Sequence, residues 1–150
     1  MSDEPMARCD FESEKLLVRL HFTIRADAKA ISPVVGAVMQ IVHEMECAEG
    51  KEFEVETALR EALANAIEHG CHNDCSRMVE GCVACDETRG MLIVVRDPGP
   101  GFDPASLPSP VHGQNIFAEH GRGIYLINQL MDKVEVKLEP GGTEIHMRKY

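Results

Sequence analysis

The 150-residue sequence lacks several things, and each absence excludes a class of protein. No apolar run approaches the roughly 20 residues of a membrane-spanning helix. There is no excess of positive charge: 15 Lys and Arg face 25 Asp and Glu, giving a formal net charge of −10. That balance argues against non-specific binding to nucleic acid or to anionic membrane surfaces. It reads most simply as an aid to solubility. The opening residues, "MSDEPMARCDFESEK", are acidic and polar, unlike a secretion signal or a transit peptide. No internal repeat and no linker divides the chain. What is present is a globular composition, 44% apolar, in a length suited to one domain with a real core. Residues 1–150 are therefore expected to form a single cytoplasmic domain, with residues 1–14 flexible.

Six cysteines are present: Cys9, Cys47, Cys71, Cys75, Cys82 and Cys85. Without a secretory signal, free reduced thiols are expected. Cys71-x3-Cys75 and Cys82-x2-Cys85, with His72 beside Cys71, are spaced too loosely to indicate zinc. Cys82 and Cys85 also lie an odd number apart on an expected strand, so they face opposite sides.

Residues 15–25, "KLLVRLHFTIR", alternate as a half-buried strand, with Leu16, Val18, Leu20, Phe22 and Ile24 on one face. Residues 28–46 change to helical spacing. Ser32-Pro33 suits a cap followed by a first helical proline, and Asp27 offers an earlier cap. Residues 53–70, "FEVETALREALANAIEHG", make the strongest helix, with Gly70 as its stop. Residues 78–85 and 91–96 read as strands joined by "DETRG". The second is nearly all apolar and belongs at the centre of a sheet. Residues 98–122 form a long loop, of the kind that carries function. A helix over 123–132 and strands over 133–138 and 143–149 follow. The order is β, α, α, β, β, loop, α, β, β. It predicts an α+β two-layer sandwich with a mostly antiparallel sheet and helices on one face.

Three islands carry candidate chemistry. On the long helix, Glu61 and Asn65 are four residues apart and share a face, with His69 continuing the row. A carboxylate there can take a proton or orient a nucleophile, and an amide oxygen suits magnesium. "DPGPGFD", residues 97–103, follows the central strand. Asp97 at a strand end is expected to be partly buried and in need of a donor, which an exocyclic amine would supply. Gly99 and Gly101 permit close backbone approach. The third island is His120-Gly121-Arg122-Gly123, opening a helix whose free N–H groups favour phosphate. Arg122 adds a forked cation. Taken singly, each also reads as ordinary structure: a solvated helix face, a strand-terminating turn, a glycine-flanked helix start.

Together, in this order, they resemble the N, G1 and G2 boxes of the GHKL ATPase fold. "EALANAIEHG", "VVRDPGPGFDP" and "HGRGIYLINQLMDKVEV" are most similar to the anti-sigma-factor serine kinases of the RsbW and SpoIIAB type. The likeness runs from about residue 15 to 148. It implies ATP and Mg²⁺ as cofactors, Asn65 as the Mg²⁺ ligand and Glu61 as general base or orienter of the attacking hydroxyl. It implies Asp97 as the adenine acceptor, with Gly99 in the turn and Gly101 backing the base. Thr143 would sit near adenine, and His69 would contact phosphate. Gly121, Arg122 and Gly123 would hold the phosphates under a lid of residues 103–120. The implied partners are a sigma factor and a STAS-type anti-anti-sigma protein, with the chain as a homodimer. One departure stands out. Family members carry a partner-touching arginine in the first helix, whereas "AISPVVGAVMQIVHEM" has none, and Ile31 or Ser32 takes its place. An ATP-binding module that transfers no phosphate, and a regulator of a non-sigma partner, remain as rival readings.

Overall fold

The computed structural model describes residues 16–88, 90–98, 122–139 and 141–150. Five strands form one antiparallel sheet in the order β1-β2-β3-β5-β4. They are β1 (Leu16–Arg25), β2 (Met78–Asp86), β3 (Gly90–Asp97), β4 (Lys133–Glu139) and β5 (Gly142–Lys149). Three helices, α1 (Ile31–Glu44), α2 (Glu52–Asn65) and α3 (Arg122–Leu130), complete the α+β architecture expected from the element order. Central β3 is buried along nearly its whole length, as its continuous apolar run requires.

Strand alternation divides the core in two. Met91, Ile93 and Val95 of β3 and Ile145 and Met147 of β5 point into the main core. There they meet Val55, Leu59 and Leu63 of α2, together with Ile124 and Ile127 of α3. Leu92 and Val94 point the other way, into a smaller cluster with Cys82 and Ala84. Cys82 and Cys85 do take opposite faces, as their odd spacing predicts.

Four local expectations are corrected. Leu16 does not share the face of Val18: the β1–β2 register shifts between them, and Leu16 packs on the smaller cluster. One extra residue in β1 breaks the period of two there. Ser32 does not cap α1. Asp27 caps a preceding 3₁₀ turn (Ala28–Ala30), its Oδ1 accepting from Lys29 N–H at 3.0 Å. Ser32 and Pro33 then lie inside the first turn of α1, where a missing N–H costs no helical bond. Gly70 does end the helical stretch, but without the left-handed φ of a glycine cap; positive φ falls on His72 and Asn73 instead. Finally, the cysteines are not all free thiols. Cys47, in the α1–α2 connection, is disulfide-bonded to Cys85 of β2, with Cα atoms 5.9 Å apart. The connection folds back over the core face of β2, a proximity that no cysteine spacing encodes. Cys71 and Cys75 keep free thiols.

Candidate functional site

The site begins with α2. Glu61 is half-buried and sits one turn before Asn65, which is 8% exposed. Asn65 Oδ1 is buried with no hydrogen-bond partner among the described residues. A buried amide oxygen left unpaired is costly, about 1–3 kcal/mol. It is a hard-oxygen donor of the kind that Mg²⁺ takes. The helix then widens into one π turn, Ala66–Gly70, closed by the Cys71 N–H donating to the Ala66 carbonyl at 2.9 Å. Such turns recur at functional sites. His69 lies on this turn, largely exposed, with Nε2 3.9 Å from a Glu68 oxygen.

The register of β3 and β5 supplies the next residues. Asp97 pairs directly with Thr143. Both follow the odd-numbered alternation that faces the helices, so the carboxylate and the hydroxyl point toward the end of α2. They are 6% and 7% exposed. Arg96 takes the opposite face, where Nη1 donates to Glu144 Oε2 at 2.8 Å. Glu144 Oε1 is hydrogen-bonded in turn to His146 Nε2 at 2.8 Å. Two neighbouring charged residues on β3 therefore serve different layers.

Asp97 is packed between Gly70, which the sequence reads as a helix stop, and Gly142 of β5. A Cβ on Gly70 would lie 2.2 Å from the Asp97 Cγ. A Cβ on Gly142 would lie 2.2 Å from the Asp97 carbonyl oxygen. Cys71 adjoins the same carboxylate: burial first, and then the Asp97 charge, push its thiol up to about 11. The available signal was the Gly following His69, which reads equally well as a helix stop.

Of the expected site residues, Asp97 and Thr143 pair at the β3–β5 end, where Asp97 meets Gly70 of the π turn; Asn65 immediately precedes that turn, Glu61 lies one helical turn earlier on α2, and His69 lies on the π turn. Arg122 and Gly123 open α3, which packs against α2. Gly99, Gly101, Gly121 and the lid span 103–120 lie outside the described residues, as does the Arg122 side chain. Ser32, with Ile31 one of the two positions that stand in for the family's first-helix arginine, meets a cation from elsewhere: Arg60 of α2 donates to Ser32 Oγ at 3.1 Å. Among the described residues, no group of three or more His, Cys, Asp or Glu is placed to hold a metal. None of the described helices is long and apolar enough to cross a membrane.

Glu61 and Asn65 lie one turn apart on α2, and the π turn that follows brings Gly70 against the strand-end Asp97. The profile of the histidine kinase-like ATPase domain family matches residues 24–149. The chain belongs to that family, and within it to the GHKL-type branch of RsbW and the anti-sigma F factors. An anti-sigma F factor from Oceanobacillus iheyensis is 32% identical over 117 residues, covering 75% of this chain and 79% of its own length. The serine-protein kinase RsbW of Bacillus licheniformis is 32% identical over 103 residues, covering 65% of this chain; the match spans 63% of that relative's length. A structure of the RsbU and RsbW domains of a Mycobacterium tuberculosis protein shares the fold. Its TM-score is 0.63 at 18% identity, covering 88% of this chain and 31% of the other.

Proposed function

We propose that this protein is a cytoplasmic, homodimeric anti-sigma factor and ATP-dependent serine kinase. It sequesters a sigma factor and phosphorylates a serine or threonine of a STAS-type anti-anti-sigma protein. The observation that carries this reading is the buried, unpartnered Asn65 Oδ1, one helical turn from Glu61 and at the same end of the fold as Asp97 and Thr143. The names of the similar proteins, serine-protein kinase and anti-sigma F factor, support the same reading.

Asn65 would hold Mg²⁺ through its amide oxygen, and the ion would supply neutralisation of the phosphate charge. Asp97 accepts a hydrogen bond from the exocyclic amine of adenine, and Thr143 lies beside the base. Gly121, Arg122 and Gly123 hold the phosphates at the start of α3, where backbone N–H groups favour anions. His69 adds a phosphate contact. Glu61 orients the incoming hydroxyl and takes its proton. The serine oxygen forms the new P–O bond as the bond to ADP breaks. Most of the acceleration comes from positioning and charge neutralisation.

The test is incubation with γ-labelled ATP, Mg²⁺ and the candidate STAS protein. Label on that protein, lost with Glu61→Ala, is the expected result. Tight ATP binding without transfer to any tested partner would leave the non-catalytic switching reading in its place.

A further inference from the structure

Gly70 has no conformational reason to be glycine. Its φ is not positive, and the chain reverses at His72 and Asn73, which carry φ of 51° and 57°. Alanine is the better residue within a helical turn. What the position does require is the absence of a side chain. An added Cβ would lie 2.2 Å from Asp97 Cγ, 2.4 Å from Oδ1 and 2.5 Å from Oδ2. The carboxylate therefore occupies the space that a side chain at position 70 would take. On the backbone side, Gly142 admits the Asp97 carbonyl with the same closeness. Asn65 lies immediately before the π turn and Gly70 ends it, so one turn of chain separates the buried amide from the residue that meets the carboxylate.

We propose that Gly70 is a specificity-determining residue: by seating the Asp97 carboxylate, it makes the pocket select bases that carry an exocyclic amine. The proposal rests on the nucleotide-site reading above and adds to it the residue that aims the acceptor. A carboxylate held against a backbone carbon cannot swing away to accommodate a keto oxygen. A displaced one can, and discrimination is then lost while the triphosphate contacts persist.

The test compares Mg·ATP with Mg·inosine triphosphate, which presents a keto oxygen in place of the amine, by calorimetric titration of the full chain. The unaltered protein should prefer ATP by at least about tenfold, in keeping with a hydrogen bond to a charged acceptor. Gly70→Ala should bring the two affinities within about threefold by weakening ATP, with inosine triphosphate affinity nearly unchanged. Asp97→Asn should collapse the preference in the same way. If Asp97→Asn collapses it and folded Gly70→Ala does not, or if Gly70→Ala weakens both nucleotides equally, the role of Gly70 is overturned and the nucleotide reading stands. If the unaltered protein shows no preference, the adenine reading fails and this inference falls with it. Should Gly70→Ala not fold alone, Gly70→Ala with Asp97→Gly is compared with Asp97→Gly. A methyl tolerated once the carboxyl is gone upholds the contact, and one that still prevents folding overturns it.

Discussion

Asp97 ends β3 and Gly90 begins it, and the surroundings of these two residues differ in kind. Around Asp97, polar groups are buried and the packing is by backbone: Gly70 and Gly142 touch the aspartate directly, and Asn65 Oδ1 is left without a partner among the described residues. Around Gly90, an open cavity of about 560 Å³ is bordered by Leu17, Met45, Glu49 and Tyr150. The chain there ties itself together. The Cys47–Cys85 disulfide forms part of the wall, and Lys51 Nζ donates to the Tyr150 carbonyl. One end supplies its own closures, while the other holds a buried amide oxygen, an acceptor with no partner among the described residues. A ligand that binds only the folded state repays such an unpaired group on binding. The open cavity is therefore the less informative end for chemistry, and the unsatisfied end is the one to which the proposed reaction is assigned.

The sharpest way to break this comparison is to remove chemistry from the Asp97 end without removing binding. Glu61→Ala should slow phosphate transfer by roughly 10²–10⁴-fold, the usual contribution of a positioned general base. Affinity for ATP should stay within about threefold, since Glu61 acts on the hydroxyl rather than on the nucleotide. Parallel measurement of labelled transfer and calorimetric affinity checks both. Equal losses in the two would place Glu61 among the binding residues instead.

The opposite end is broken by reduction. Replacing both Cys47 and Cys85 by Ser opens a covalent loop of sequence separation 38. It should lower the free energy of unfolding by about 2–4 kcal/mol, read from urea midpoints. ATP affinity of the folded protein should change less than twofold. A large change in affinity would show that the two ends are coupled through α2. The smaller effects return to the nucleotide end: Asp97→Ala should weaken ATP binding roughly 10–100-fold. Asn65→Leu, by contrast, should leave the ligand-free protein as stable as before or more so, because it removes an unpaired buried amide. The same Asn65→Leu protein should no longer respond to Mg²⁺ in its ATP affinity.

Much of the layer architecture was legible because it depends on periods within one segment. The continuous apolar run of β3 named the central strand, and the Glu61–Asn65 spacing named a shared helix face. The alternation that buries Asp97 is likewise local. What the sequence did not expose were meetings between segments. The disulfide joins a helix connection to a strand, and no spacing rule predicts that pair. Gly70 carried the signature of a helix stop, and only its contact with Asp97, 27 positions later by residue number, distinguishes room for a neighbour from freedom of φ. Arg60 reaches Ser32 from another helix, so a cation absent from the first-helix sequence is present beside it in space. The π turn is similar: its residues read as ordinary helix, and the widening follows from how the end of α2 packs on β3.

The smallest expected effect lies between the helices, where an exposed pair brackets the connection that carries Cys47. His43 Nδ1 lies 3.0 Å from Glu52 Oε2, joining the last turn of α1 to the first turn of α2. The hydrogen bond to Glu52 raises the His43 pKa above its ordinary 6.5; the Glu52 charge adds to it, and Glu44 and Glu46 contribute less. The sign follows from the direction. A group whose pKa is raised by folding stabilises fully below its unfolded value, and the gain is lost as pH rises through the folded value. The stabilisation should therefore be present at pH 6 and fade as pH climbs through and beyond the neighbourhood of 6.5. Because the pair is exposed, its effect on Tm should be about 1 °C or less. The decisive measurement is the titration of the His43 imidazole proton signal. Its midpoint should lie above 6.5 and return toward that value with Glu52→Gln. A midpoint unmoved by Glu52→Gln would mean that the contact does not persist in solution. In that case the α1–α2 connection is held to the rest of the fold by the disulfide and the Lys51 contact without help from this pair.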